Sequence, residues 1–224
     1  TSTTASLGNL VVSNPYGTPT SLTATVTSVN NDSANFENVS TGSPTTASFT
    51  PVPTVTRATI TGVDTDEASG KVTFNVALSN PPQTGTTAAV EITVAGNDYN
   101  VAIGADGKGT LTIDNPNTED VYKDASGLTA TVKSISGGGY SQVLTGAQGT
   151  AHIADTVDTT TAHIDLAQTG NAVKAIISLD HAPQADTLVT YTVNGVQHAA
   201  VIKGGETSTT ASLGNLVVSN PYGT

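Results

Sequence analysis

An all-β architecture of small sandwich domains is what this sequence predicts, on three observations. Apolar and polar residues alternate with a period of two along a succession of short segments. Clusters of Gly, Pro, Asn, Asp and Ser punctuate those segments. No segment carries a convincing helical period, so no helix is predicted. Composition agrees: Thr, Val, Ala, Ser and Gly dominate, and the β-branched Thr and Val are stiff at χ1 and suit a pleated surface.

The alternation is clearest in KVTFNVAL at 71–78, where Val72, Phe74, Val76 and Leu78 fall on one face and Lys71, Thr73 and Asn75 on the other. AAVEITV, LTATVKSI and LVTYTV read the same way. In chain order, strands are expected near 57–63, 71–78, 88–95, 99–103, 109–113, 127–135 and 149–154. Between them SNPPQTG, AGNDYN, GADGKG, DNPNTED and SGGGYS supply turn chemistry. Seven short strands in about a hundred residues match an immunoglobulin-like sandwich; a closed barrel is the structural alternative. The chain has no Cys and no Trp, so the likeness to antibody domains is one of architecture.

Internal repetition organises the chain. TSTTASLGNLVVSNPYGT occupies residues 1–18 and again 207–224 without a difference, a displacement of 206 residues. A weaker period of about half that length lies inside it. SLTATVTSVN at 21–30 matches GLTATVKSIS at 127–136, and NVSTGSPTTASF at 38–49 matches QVLTGAQGTAHI at 142–153. Each long unit is therefore a pair of diverged domains, called A and B here. Residues 53–158 read as a complete A repeat, 1–52 as the C-terminal part of a B repeat, and 159–224 as the N-terminal part of the next B. The repeated stretch is the fifth strand of B and the loop after it, and the chain is expected to be a window on a longer tandem array.

Charge narrows the function. Eighteen acidic residues stand against 7 basic ones, for a formal net charge of −11. Nucleic acid and anionic membrane surfaces both need cationic patches, so neither is an expected partner. No apolar run approaches the roughly 20 residues that span a bilayer, so this segment is not expected to insert into a membrane. Without Cys there are no disulfides and no thiolate metal sites, which leaves hard cations on carboxylate oxygens as the available staple.

The acids are not evenly spread. If successive loops alternate between the two poles of a sandwich, the poles differ sharply. In A, Asp64, Asp66 and Glu67 follow the first strand, Asp98 falls in the turn after the third, and Asp114, Glu119, Asp120 and Asp124 lie in or beside the loop after the fifth. Asp155 and Asp158 follow the seventh. All of these belong to the pole facing the next domain. In B, Asp180, Asp186, Glu206, Asp32 and Glu37 lie at the pole facing the previous domain. The A-to-B joint thus collects 15 of the 18 carboxylates. The B-to-A joint, with SNPYGTP and the proline-stiffened connector FTPVPTVTR, has almost none.

Carboxylates crowded in this way repel unless something neutralises them. Ca2+ takes about 6–8 oxygen ligands and favours carboxylates supplemented by carbonyls and Asn side chains. VDTDE and ADTVD place carboxylates two and three residues apart on flexible turns, with Asn97, Asn115 and Asn117 nearby. The candidate Ca2+ ligands are therefore Asp64, Asp66, Glu67, Asp98, Glu119, Asp120, Asp124, Asp155, Asp158, Asp186 and Asp32. The alternative is that these residues are merely solvated. Neither an EF-hand loop nor a G-G-x-G-x-D repeat is present.

NPNTEDVYKDASGLTATVKSISGGGYSQVLTG, followed by ADTVDTTTAHI, resembles the extender repeats of giant RTX adhesins, the LapA-like biofilm proteins of Gram-negative bacteria. NFENVSTG in the B fragment is similar to the corresponding region of that family, and the resemblance covers nearly the whole chain. It implies Ig-like domains repeated many times, Ca2+ bound between and within them, and a ligand-binding tip held away from the outer membrane. Carried over by position, Glu119, Asp120 and Asp124 match the first motif, and Asp155 and Asp158 the second. B departs from the pattern, since SNPYGTPTS replaces the acidic stretch, which places calcium at the B-to-A joint in doubt.

Other chemistry has little support. His152, His163, His181 and His198 show no zinc-helix spacing, and no G-x-S-x-G elbow exists. Tyr and Phe total nine, few for a glycosidase cleft or a carbohydrate platform. No catalytic function is expected. The expected role is an extracellular spacer of an outer-membrane-anchored cell-surface adhesin; the alternative is an Ig-like adhesive module that itself binds a glycan or protein ligand. The expected partners are neighbouring repeats of the same chain. An isolated three-strand fragment is marginal, so half-domains of separate molecules are expected to complement one another head to tail.

Overall fold

A computed structural model describes the chain apart from residues 1, 3, 9–12, 31–35 and 217–224. The described residues are all strand, turn and loop, in two compact units: 1–118 with 124–155, and 119–123 with 156–224.

In the first unit Ser13–Asn14 pairs in parallel with Val52–Pro53, and a hairpin lies between them, β1 (Thr20–Ala24) and β2 (Thr45–Phe49), in which Leu22 faces Ala47 and the hydroxyls of Thr23 and Thr46 lie 2.9 Å apart. The sandwich follows. Its strands are β3 (Thr56–Val63), β4 (Lys71–Leu78), β5 (Ala88–Val94), β6 (Asn97–Ile103), β7 (Lys108–Asp114), β8 (Ser126–Gly137) and β9 (Gln148–Ala154). All seven expected strands of A are present. Sheet order is β7-β4-β3 in one layer and β9-β8-β5-β6 in the other. Val143–Leu144 adds in parallel beside β3, and Thr65–Asp66 in parallel beside β9.

Both layers contribute to one core, so the unit is a β-sandwich. Val72, Phe74 and Val76 from β4 pack with Val90, Ile92 and Val94 from β5, Ala130 and Val132 from β8, and Ala151 and Ile153 from β9. The period-two alternation of KVTFNVAL decides which face turns inward, and Phe74 is fully buried. β3 and β9 belong to different layers yet run close together. A Cβ at Gly62 would stand 2.2 Å from the backbone nitrogen of Ala151, and one at Gly149 would stand 2.4 Å from the carbonyl of Ile60. Glycine at both positions is what allows that approach.

One boundary differs from expectation in a way that matters. Ala95 and Gly96 alone make the turn between β5 and β6, both with positive φ, as a two-residue type I′ hairpin requires. The strand therefore starts at Asn97, and Asp98, expected in a loop, stands on β6 opposite Thr93.

The second unit holds β10 (Ala162–Thr169), β11 (Ala172–Leu179), β12 (Thr187–Val193), β13 (Val196–Ile202) and β14 (Ser208–Asn215). β10, β11 and β14 form a three-stranded sheet; among the described residues β12 and β13 pair only with each other, across an Asn194–Gly195 turn. The buried core is small: Ala175, Ile177 and Ile202, with Leu179, Val189, Tyr191, Ala200, Ala211 and Leu213 partly covered. Leu188 remains 66% and Leu166 61% exposed.

Candidate metal centre

β7 ends at Asp114, and the loop after it is built on Asn115, only 7% exposed. Its Oδ1 accepts from the Asn117 backbone N–H at 3.0 Å, an Asx turn that bends the chain after Pro116. Its Nδ2 donates to the carbonyls of Asp66 at 3.1 Å and Ser69 at 2.9 Å. One buried amide thus ties the loop after β3 to the loop after β7. Asn115 was expected near the metal ligands as an oxygen donor; its main work is this clamp.

The acids of the first unit are set around that clamp. Glu67 is 2% exposed, and its backbone N–H donates to Ala154 O at 3.0 Å. Asp66 Oδ1 accepts from Ser69 N at 2.9 Å, and Asp64 Oδ1 from His152 N at 3.0 Å. Asp155 Oδ1 accepts from Asp124 N at 3.2 Å, while Asn117 Nδ2 donates to Asp124 O at 3.1 Å. In the second unit, Thr156 Oγ1 lies 2.6 Å from Glu119 Oε1 and 3.1 Å from Asp158 Oδ2, one hydroxyl shared by two carboxylates. Asp120 Oδ1 accepts from Tyr122 N at 2.7 Å.

Each unit holds acidic residues that could contribute ligands to a metal ion: Glu67 and Asp124 in the first, and Glu119, Asp120 and Asp158 in the second. Carboxylate oxygens of Glu67 and Asp124 come within 4.8 Å of each other, and so do those of Glu119 and Asp158. Burying a carboxylate such as Glu67 is costly unless hydrogen bonds, an opposite charge or a cation offset it. The donor set is all carboxylate oxygen, with no His in it, which suits a hard cation better than zinc or copper.

The remaining candidates are engaged elsewhere. Asp64, Asp66 and Asp155 serve the backbone bonds just given. Asp98 meets Lys133 Nζ at 2.5 Å and Thr93 Oγ1 at 2.6 Å, and the lysine also reaches Glu91 at 3.3 Å. The hydrogen bond from Lys133, then that from Thr93, holds the Asp98 carboxyl below its ordinary range. Asp186 pairs with Lys203 at 2.6 Å and accepts from Gly204 N at 3.1 Å, with the same direction of shift. Lys71 likewise depresses Asp114, and His163 depresses Asp180. Asp32 lies outside the described residues.

Two tyrosines carry a pattern that motif reading missed. Asn14 repeats the Asx turn of Asn115, its Oδ1 accepting from Tyr16 N at 2.7 Å. Tyr16 OH then donates to Pro81 O at 2.8 Å, and its ring stacks on Tyr140 at 5.9 Å between centroids. Tyr140 OH donates to Asn80 O at 2.9 Å, and Ser141 N to Pro15 O at 2.9 Å. Burial, with Tyr16 adding to it, pushes the Tyr140 hydroxyl up to about 12, so it stays a donor. In the second unit Tyr122 OH donates to Ala182 O at 2.6 Å. Leu78-Ser-Asn-Pro81 and Leu179-Asp-His-Ala182 occupy the same place in their repeats, so the two tyrosines bond equivalent carbonyls. The available signal was that both donor loops begin Asn-Pro and carry a tyrosine.

No family model matches the chain, and no curated protein sequence matches it. One similar solved structure comes from work on host cell surface retention of a 1.5-MDa bacterial ice-binding adhesin. It is 15% identical with a TM-score of 0.24, and the match covers 73% of this chain and 55% of that one. Likeness at that level carries no argument about function. Among the described residues no helix is long and apolar enough to cross a membrane.

Proposed function

We propose that this segment belongs to the extender region of a cell-surface adhesin of the LapA-like RTX kind. Its sandwiches act as non-catalytic, extracellular spacers that hold a ligand-binding tip away from the cell for adhesion and biofilm formation, and Ca2+ rigidifies the acidic A-to-B joint. The observation that carries this reading is the close approach of carboxylates within each unit, Glu67 to Asp124 in the first and Glu119 to Asp158 in the second, set against the acid-free Asn14–Tyr16 segment. Crowded carboxylates repel and favour a cation; the Asn14–Tyr16 segment is held by hydrogen bonds of Tyr16, Asn14 and the Pro15 carbonyl.

The residues fit a calcium ion in kind. They are hard oxygen donors, and Lys71, Lys133 and Lys203 are spent on Asp114, Asp98 and Asp186 rather than on these carboxylates. When bound, the ion supplies positive charge that cancels the repulsion among the carboxylates. The chain's own contribution is positional: Asn115 holds two loops together, and Thr156 orients Glu119 and Asp158. Without the ion, repulsion loosens the joint. Small-angle scattering of this chain in millimolar Ca2+ and in EDTA tests the reading. The maximum dimension is expected to change on chelation; an unchanged value, with no heat of Ca2+ binding in calorimetry, would sink it.

A further inference from the structure

Oxidation has few places to go in this chain. Cys and Met, the usual targets, are absent, and so is Trp, which leaves the six tyrosines as its most readily oxidised side chains. Among the described residues one pair of them is stacked: Tyr16 on Tyr140, with ring centroids 5.9 Å apart and planes inclined at 28°. Both are half-buried, and both belong to the first unit.

The pair is aligned as well as close. Tyr16 OH donates to Pro81 O at 2.8 Å, and Tyr140 OH donates to Asn80 O at 2.9 Å. Carbonyls of consecutive residues thus hold the two hydroxyls, so both phenol ends converge on one short stretch of chain. The ring carbons beside those oxygens, where phenoxyl radicals couple, converge with them. The two backbones are tied as well, since Ser141 N and Oγ both donate to Pro15 O, at 2.9 and 3.2 Å. A Cβ at Gly138 would stand 2.2 Å from Tyr140 Cε2, so glycine there makes room for the ring. Gly137, Gly138 and Gly139 all have positive φ, and a run of three glycines gives the backbone before Tyr140 the freedom to tilt its ring.

We infer that Tyr16 and Tyr140 form an oxidative cross-linking site. A carbon–carbon bond joins the ring positions ortho to their hydroxyls when a peroxide acts through a haem peroxidase. Each phenol first gives up one electron and its hydroxyl proton. The two radicals couple, and the hydrogen on each coupled carbon passes through solvent to the ring oxygen, which restores both phenols. The two electrons and two protons released reduce one hydrogen peroxide to two waters. The chain loses two hydrogen atoms in all and gains a covalent tie between loops far apart in sequence. That tie constrains the unfolded chain as a disulfide would, in a sequence that has no Cys to make one. The inference does not depend on calcium or on an adhesin role.

The sequence makes the product easy to read. Trypsin cuts after Arg57, Lys133 and Lys174, so Tyr16 leaves in peptide 1–57 and Tyr140 in peptide 134–174, each the sole tyrosine of its peptide. The full chain is oxidised at low concentration with a haem peroxidase and hydrogen peroxide. The expected product is monomeric, fluoresces as dityrosine, and yields those two peptides joined, lighter than their sum by two hydrogen atoms. Tyr16→Phe and Tyr140→Phe are each expected to abolish the joined peptide, and Tyr99→Phe is expected to leave its yield unchanged. Oxidation of the chain unfolded in urea is expected to lose it too, which separates folded geometry from reactivity alone. Dityrosine found only between molecules, spread evenly over the tyrosines, or formed equally well in urea overturns the proposal. So does an oxidised chain that contains none.

Discussion

The same eighteen residues occur twice in this chain, and the two copies differ in structure. In the second, Ser208–Asn215 is strand β14, paired along its length with β11. In the first, the described residues 4–8 of the identical sequence carry no strand at all. Period-two alternation is therefore permission, not instruction: a strand forms where a neighbour offers its edge. The same lesson separates the two repeats. Residues 56–154 close into two layers around Phe74, whereas residues 162–215 bury three apolar side chains and leave Leu166 and Leu188 in water.

The largest expected effect breaks that comparison at its stronger side. Phe74→Ala empties the centre of the complete core and is expected to cost about 3–5 kcal/mol, a large share of a domain's stability. Ile177→Ala in the second unit removes a side chain from a smaller core whose other members are mostly only partly covered, so its cost should fall toward the low end of about 2–5 kcal/mol. Urea melts of both variants, followed by circular dichroism, check the order. Equal losses would mean that the second unit is as well packed as the first.

Next in size is the pair of Asx turns. Asn115 and Asn14 make the same local bond, yet only Asn115 spends its amide on carbonyls of a distant loop, at Asp66 and Ser69. Asn115→Ala is expected to destabilise the first unit by about 1–3 kcal/mol, because two partly buried carbonyls lose their donor. Asn14→Ala, whose amide reaches only Thr18, should cost a few tenths to about 1 kcal/mol. If Asn115→Ala also weakens Ca2+ binding in calorimetry, the clamp is what presents the acidic loops to the ion.

The strands were legible because burial alternates on KVTFNVAL and AAVEITV with the period of the pleat, and the sequence records that directly. The site was only partly legible. Loop order assigns Glu67 and Asp124 to one pole of the sandwich, but nothing in the letters says that Glu67 is buried or that Asp98 sits on a strand beside a lysine. Lys133 lies 35 residues from Asp98 in sequence, on β8 of the same sheet, two strands across from β6, which only strand pairing brings near. The tyrosine bonds were hidden for a related reason: their acceptors are carbonyls, which every residue owns and no motif marks. Tyr16→Phe tests one of them, with an expected loss of about 1 kcal/mol in the first unit, since Pro81 O then relies on water.

The smallest effect concerns two of the lysine pairs, Lys133–Asp98 in the first unit and Lys203–Asp186 in the second. Asp98 titrates below its unfolded value of 3.8, so its contribution to stability is present above that pH and is lost as pH falls through the folded value. Lys133 titrates above 10.5, chiefly through its hydrogen bond to Asp98, so its contribution is present below that pH and is lost as pH rises through the folded value. The pair therefore acts between those limits and is silent outside them. Lys133→Met should return Asp98 toward 3.8, visible as a shift of its carboxyl carbon titration by NMR, and should flatten the acid limb of the first unit's stability. Lys203→Met should do the same for Asp186 in the second unit, where the Gly204 N–H remains to hold part of the shift. Both pairs are solvent-exposed, so 1 M salt should erase much of the difference at a Debye length of about 3 Å. A carboxylate that kept its depressed titration after losing its lysine would owe it to the backbone donor instead. In Asp186 that donor is the Gly204 N–H; in Asp98, which has no backbone donor, any remaining depression comes from the Thr93 hydroxyl.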